Sequence, residues 1–479
     1  MPDGLDVVVV GGGPNGLAAA ITLAREGHAV QVVERAAEVG GGSRSAELTL
    51  PGFVHDVCSS IHPFGRTAPF FVEAELERFG LRWIEPTAAV AHPLGDGTAV
   101  IVTRDVDATA RTLGADRDAY RRLLGPVVRG FRSLLPDILA PFHIPRRPRR
   151  ALSLAWFGIN ALQPATLLTR RFRDEPARAL FAGVAAHSVL RLDEPISSAA
   201  GLALLASAHD DGWPFPAGGA VEIPRAMAAA LGDLGGSIST DRAIERLEDL
   251  PRSRLALFDT SPGTLERVAR GRLPDGYREK LRNVRYGPSV FKLDIALDGA
   301  IPWQNPDVAL AGTVHLGGTF EEIRDSEAAA ALGVLHPKPF VLLAQHSLFD
   351  RSRAPEGKHT VWAYCHVPHA STADASEAIL GQIERFAPGF RERVLAMKKT
   401  SPAELEASNP NDVGGDISGG RLDLRQLFTR PVARLDPYST PDPRLFLCSS
   451  STPPGGGIHG MCGWHAAHSA LRRLGARDG

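Results

Sequence analysis

The chain opens on a β-branched run, Leu5-Asp6-Val7-Val8-Val9-Val10, that passes without a break into Gly11-Gly12-Gly13-Pro14-Asn15-Gly16. Apolar residues at helical spacing follow: Leu17, Ala18, Ala20, Ile21 and Leu23. A continuous apolar strand is one buried on both faces of a parallel sheet, and GxGxxG between strand and helix is a nucleotide-binding turn. A second strand, Ala29 to Val33, ends in Glu34 and Arg35. Each part has a task. Gly11 permits the tight turn, Gly13 lets backbone approach a pyrophosphate, and Gly16 lets the helix pack against the sheet. Pro14 and Asn15 begin the helix, whose free N–H groups face the phosphates. Glu34 is placed to accept the ribose hydroxyls and to disfavour a 2′-phosphate. These residues define a dinucleotide site in an α/β chain.

The length of 479 residues leaves room for several domains. A formal net charge of -1 draws the protein to no nucleic acid. Four cysteines without a CxxC pair form neither a disulfide scaffold nor a dithiol centre. The apolar stretch Ala151 to Leu168 is broken by Asn160, Gln163 and Pro164, so it is not read as a membrane span. The strand beginning at Leu5 leaves no place for a signal peptide, and a cytoplasmic setting is expected. Arg146-Arg147-Pro148-Arg149-Arg150 precedes the apolar, Trp-containing segment up to Ile159. That pattern fits either peripheral membrane contact through 146–159 or a solvated loop before a core helix. His465 and His468 stand i,i+3 with no third ligand nearby, and no metal site is expected.

After Glu34 the chain continues Arg35-Ala36-Ala37-Glu38-Val39-Gly40-Gly41-Gly42-Ser43-Arg44. An acid, a glycine pair and an Arg in this order resemble the FAD-binding N-terminus of the amine oxidase and phytoene desaturase superfamily. The resemblance implies that Gly41, Gly42, Ser43 and Arg44 lie along the pyrophosphate and ribityl chain of FAD. It continues through Phe53 to Pro63, where Ser60 and His62 fall beside the flavin ring; His62 is read equally as a loop histidine. At the C-terminus, Ser449-Ser450-Ser451-Thr452-Pro453-Pro454-Gly455-Gly456-Gly457-Ile458-His459-Gly460-Met461 follows a short strand. This looks like the superfamily's second FAD contact, implying cofactor roles for Ser450, Gly457, His459, Gly460 and Met461. Relatives often carry an acid where the serines stand here. His459 is the second candidate, with His62, for a proton acceptor.

The resemblance implies an α/β fold in which a discontinuous Rossmann-type FAD domain (1–60, 215–285 and 430–479) receives a substrate domain as two insertions. Within the first, 61–214, the chain from Asp105 to about Leu205 reads as helices; the second, 286–429, reads as a further sheet. Ser237 to Thr240, Ile244 to Leu247 and Arg254 to Phe258 read as strands of the FAD domain, with Ile244 beside the adenine. In the second sheet Val290 to Leu297, Thr313 to Leu316, Phe340 to Ser347 and His359 to His366 are strand-like. Thr360, Trp362, Tyr364 and His366 share one face, as a cavity wall or as ordinary core. The implied function is an FAD-dependent dehydrogenase or redox isomerase of a small, largely apolar, carotenoid- or isoprenoid-like molecule, with oxygen or a quinone as electron acceptor. A flavin amine oxidase is the alternative within this fold. A non-catalytic binding protein resembling GDP-dissociation inhibitors is the alternative outside enzymology.

Overall fold

The computed structural model describes residues 4–143 and 148–475. Leu5–Val10 sits at the centre of a parallel five-stranded sheet whose order is Leu445–Leu447, Ser253–Phe258, Leu5–Val10, Val30–Val33, Ser237–Ser239. Val7, Val8 and Val9 are wholly buried, which is why this strand carries no polar alternation. The helix Pro14–Arg25 packs against the C-terminal helix Met461–Gly475 and against Glu222–Asp233. Gly463 permits the first crossing, since a Cβ there would lie 1.8 Å from the carbonyl oxygen of Asn15. Strands far apart in sequence thus share one sheet.

A second, mixed sheet has seven strands, in the order Val394–Thr400, Ser289–Leu297, His359–Val367, Val341–Ala344, Ala311–Leu316, Ala88–Pro93, Ala99–Val102. Its two faces differ in chemistry. Leu293, Ile295, Val314, Leu343 and Val361 point one way and join an apolar cluster with Ile379, Ile383 and Phe386. On the other face the register sets Thr313, Ala344, Trp362 and Asp294 in one cross-strand row and His315, Leu342, Tyr364 and Lys292 in the next. This polar and aromatic face is also buried. Helices Arg117–Ile138, Pro148–Ala161 and Ser198–Asp210 account for much of the chain between the strands near residue 100 and the return to the first sheet.

Three expectations need correction. The second sheet is not confined to the second insertion, because Ala88–Pro93 pairs parallel with Ala311–Leu316 and carries Ala99–Val102 at its edge. An alanine-rich segment ending in proline has little intrinsic strand signal, and tertiary pairing overrides it. Ile244 to Leu247 is not a strand: the Asp249 carboxylate accepts the N–H groups of Glu245 and Arg246 and holds the segment in a turn. Phe340 to Ser347 ends as a strand at Ala344, where Gln345 turns its amide to the carbonyls of Val308 and Ala311.

Candidate active site

The glycine turn is built around a residue that spacing did not reveal. A Cβ on Gly11 would lie 2.6 Å from the backbone oxygen of Asp259, and one on Gly13 would lie 2.7 Å from its Oδ2. A Cβ on Gly16 would lie 2.0 Å from the carbonyl of Gly11 and 3.1 Å from the Asp259 side chain. Gly11 also has φ +102°, a left-handed conformation that favours glycine. The three glycines therefore accommodate the chain at Asp259 as well as a ligand. Gly16 donates its N–H to Asp259 Oδ2 at 2.8 Å, at the start of the helix. Burial pushes the Asp259 carboxyl up to about 7; the charge of Glu34 adds to this, and the Gly16 N–H works against it.

Glu34 is buried at the end of its strand. Its Oε2 accepts the Gly12 N–H at 2.7 Å and its Oε1 the Ala36 N–H at 2.8 Å, so the acid also braces the turn. Arg35 is exposed. Ile244 lies in an apolar cluster with Val10, Val33 and Phe258. The second glycine loop meets the first: a Cβ on Gly41 would lie 3.1 Å from the Gly13 Cα. Ser43 and Arg44 brace this loop and do not line the cavity described next. Ser43 is fully buried and donates to the Ala220 carbonyl, while Arg44 Nε donates to Gly41 O and its other nitrogen to Ser408 Oγ.

One cavity of about 350 Å³ joins these loops to the second sheet. At one end its walls are Gly13, Pro14, Asn15, Gly41, Gly42 and Asp259. Ser450, Gly456 and Gly457 of the C-terminal turn close that end, and Asn15 Nδ2 reaches Ser450 Oγ at 3.3 Å. The buried Asn15 Oδ1 has no hydrogen-bond partner among the described residues. A third wall, Asn409, Asn411 and Asp412 with Ser418 and Gly419, was not anticipated. Its Asn411 bonds the Asp259 carbonyl, and the buried Arg430 donates to the carbonyls of Ser418, Gly419 and Ser450. These contacts are long-range and carry no local sequence signal.

At the other end stand His62, Phe64, His187, Trp213, Trp362 and Tyr364, with Leu204 and Leu342. His62 is buried, neither ring nitrogen has a hydrogen-bond partner among the described residues, and burial pushes its pKa down to about 4. Ser60 lines the wall beside it, donates to Asp56 Oδ2 and meets the His346 ring at 2.8 Å. His459 is placed differently. It is buried behind the turn, outside the cavity lining, where Nδ1 accepts the N–H of Met461 at 3.1 Å. Gly460 meets Phe70 and Ala18, not the cavity, and Met461 is buried at the start of the last helix. Of the aromatic strand face, Trp362 and Tyr364 line the cavity; Thr360 and His366 do not. No group of three metal-ligating side chains occurs among the described residues.

Residues 9–72 match the model of the NAD(P)-binding Rossmann-like domain family. A mouse protein named pyridine nucleotide-disulfide oxidoreductase domain-containing protein 2 is 26% identical, over 98% of this chain and 94% of its own length. Among solved structures, an oxidoreductase from Methanosarcina mazei superposes with a TM-score of 0.66 at 16% identity, covering 98% of this chain and 100% of that one. A putrescine oxidase bound to putrescine gives 0.61 at 17% identity, covering 98% and 99%. These likenesses show the fold class: the chain folds as the putrescine oxidase and the Methanosarcina mazei oxidoreductase do. Within that class the chain has a Rossmann-like nucleotide-binding domain and a mixed second sheet.

Proposed function

We propose that the protein is an FAD-dependent dehydrogenase that removes hydrogen from a small, largely apolar, isoprenoid-like molecule. The observation that carries this reading is the single cavity running from two glycine loops and a C-terminal glycine turn to an aromatic and aliphatic end. The glycine-lined end fits FAD: side chains are absent where Gly13 meets Gly41, and the unpartnered Asn15 Oδ1 supplies a polar contact. Gly13, Asn15, Gly41, Gly42, Ser450 and Gly457 would hold the cofactor. Bound FAD supplies the two-electron acceptor for a hydride leaving a substrate C–H bond. The chain's own part is placement, exclusion of water and proton acceptance. Phe64, Leu204, Trp213 and Leu342 orient an apolar body, and neutral His62 is a buried proton acceptor in the same wall.

The amine oxidase alternative calls for two aromatic rings facing each other across the amine. Trp362 and Tyr364 instead stand at 81° with centroids 5.0 Å apart, which favours the dehydrogenase reading. Anaerobic mixing of the flavin-loaded protein with an isoprenoid hydrocarbon, and separately with an alkyl amine, tests it. Bleaching of the flavin absorbance by the hydrocarbon is the expected result; bleaching by the amine alone would give the alternative.

The proposal includes a peripheral membrane contact that delivers the substrate. Leu152, Ala155, Ile159 and Leu162 form one exposed stripe along and just beyond the Pro148–Ala161 helix, and Phe142 packs on Phe428 with both rings exposed. Arg146, Arg147 and the side chain of Arg149 lie outside the described residues. Among the described residues no single helix is long and apolar enough to cross a membrane.

A further inference from the structure

A dinucleotide fingerprint leaves the N–H groups at the start of its helix free for phosphate oxygens. Here one of them is already taken. Gly16 N–H donates to Asp259 Oδ2, and the Asp259 side chain lines the cavity directly beside Gly13, the residue where backbone and pyrophosphate must approach. An ionised carboxylate in that position is a buried negative charge against a diphosphate that carries negative charge itself. At such distances, with water excluded, like charges disfavour each other strongly.

Among the described residues, no Arg or Lys pairs with the Asp259 carboxylate. Its ordered neighbours are the Gly16 N–H, the carboxylate of Glu34 across the turn, and the thiols of Cys448 and Cys462. Burial keeps both thiols protonated near neutral pH. The Asn411 amide donates to the Asp259 backbone oxygen at 3.0 Å and accepts the Ser261 N–H at 2.8 Å. A proton relieves this arrangement without moving the chain. A protonated Asp259 still accepts from Gly16 through one oxygen, and its hydroxyl becomes a donor to a phosphate oxygen.

We infer that Asp259 is a cofactor-positioning residue whose carboxyl must carry a proton for the pyrophosphate to lie against Gly13 and Gly16, so that loading FAD takes up a proton from solvent. The inference rests on the FAD reading above. The position of the uptake follows from the neutral carboxyl: near its titration point, at about 7, half the free protein already holds the proton, and above it the proton must be acquired on binding.

The test is the affinity of the cofactor-stripped full chain for FAD as pH is raised, by quenching of flavin fluorescence. Titration calorimetry in buffers of different ionisation heat counts protons. For the wild type the account expects affinity to weaken by up to about tenfold per pH unit above neutrality, with uptake approaching one proton. Asp259→Asn, which keeps the acceptor for Gly16 and a donor toward the phosphates, is expected to bind FAD with no such slope and no such uptake. Should Asp259→Asn fail to fold, Asp412→Asn decides: it removes the other cavity carboxyl that burial pushes up to about 7, and it is expected to keep the wild-type slope and uptake, whose loss in it would overturn the inference. A pH-independent wild-type affinity with no proton uptake would overturn the inference while leaving the FAD reading intact, as would an Asp259→Asn protein sharing the wild-type slope. A folded wild-type protein that binds no FAD at any pH would overturn both.

Discussion

Arg353 is buried against Asp56, with one guanidinium nitrogen 2.5 Å from Oδ2 and another 3.2 Å from Oδ1. The same carboxylate accepts Ser45 Oγ, Ser60 Oγ and the N–H of Ala220, so one buried ion pair ties together segments that are remote in sequence, with Ser60 among them lining the cavity. Removing the cation leaves a buried charge unpaired, which is destabilising by about 3–5 kcal/mol. Arg353→Met is therefore expected to lower unfolding free energy by that order in a urea titration. A change below about 1 kcal/mol would mean that solvent or another cation replaces it.

The same pair sets an acid limit. Burial would raise the Asp56 carboxyl, but Arg353 and its hydrogen bonds hold it far below the ordinary carboxylate range. A carboxyl depressed on folding contributes stability that is present above its unfolded value, about 3.9, and lost as pH falls toward the folded one. Melting temperature is thus expected to fall steeply below about pH 4, and Arg353→Met is expected to flatten that limb.

The two candidate histidines should separate by phenotype. His62 lines the cavity and His459 does not, so His62→Ala is expected to retain cofactor and lose turnover. With its pKa pushed down to about 4, His62 stays neutral as an acceptor across neutral pH and contributes no inflection there. His459→Ala removes the acceptor for Met461 N–H and is expected to lower stability by roughly 1 kcal/mol while turnover persists. Reversed phenotypes in steady-state kinetics and thermal melts would show that the C-terminal turn approaches the reacting atoms more closely than the structure places it.

Gly13 is the glycine of the turn whose replacement bears most directly on the cofactor. A methyl group there would press on Asp259 Oδ2 and close the space where the two glycine loops meet. Gly13→Ala should fold, with a loss of about 1–3 kcal/mol from overpacking, and should lose FAD on gel filtration. Full cofactor retention would contradict the proposed placement.

The exposed stripe gives a separate test. Leu152→Asp with Ile159→Asp is expected to abolish co-flotation with anionic phospholipid vesicles and to leave soluble-substrate turnover intact, because both side chains point away from the core. Equal flotation of the double variant would remove the membrane contact from the account.

The sequence made the fold class legible because its signals are local. Val7 to Val10, the glycine turn and the helix after it occupy adjacent residues, and each obeys a short-range steric rule. Residues such as Asp259 and Arg430 were not legible: Asp259 meets Gly16 across 243 positions. Nothing in the Leu-Phe-Asp-Thr run that contains Asp259 marks it as the packing partner of three glycines. The strand Ala88–Pro93 was missed for a related reason, its order coming from the neighbouring Ala311–Leu316 and not from its own side chains. His459 and Ser43 show the converse. Both stand in glycine-rich motifs, yet the fold turns one against a helix start and the other against the Ala220 carbonyl. Motif position fixes where the backbone passes, not where each side chain points.

FAD binding at the glycine-lined end of the cavity underlies every role proposed for these residues. It is tested most directly by the visible absorbance spectrum of the purified protein, repeated on the supernatant after heat denaturation, with the released compound identified chromatographically. The account predicts flavin bands in the folded protein and FAD, not FMN, in the supernatant. A colourless protein that cannot be reconstituted with FAD would contradict it and leave a non-catalytic binding protein as the better reading of the same fold.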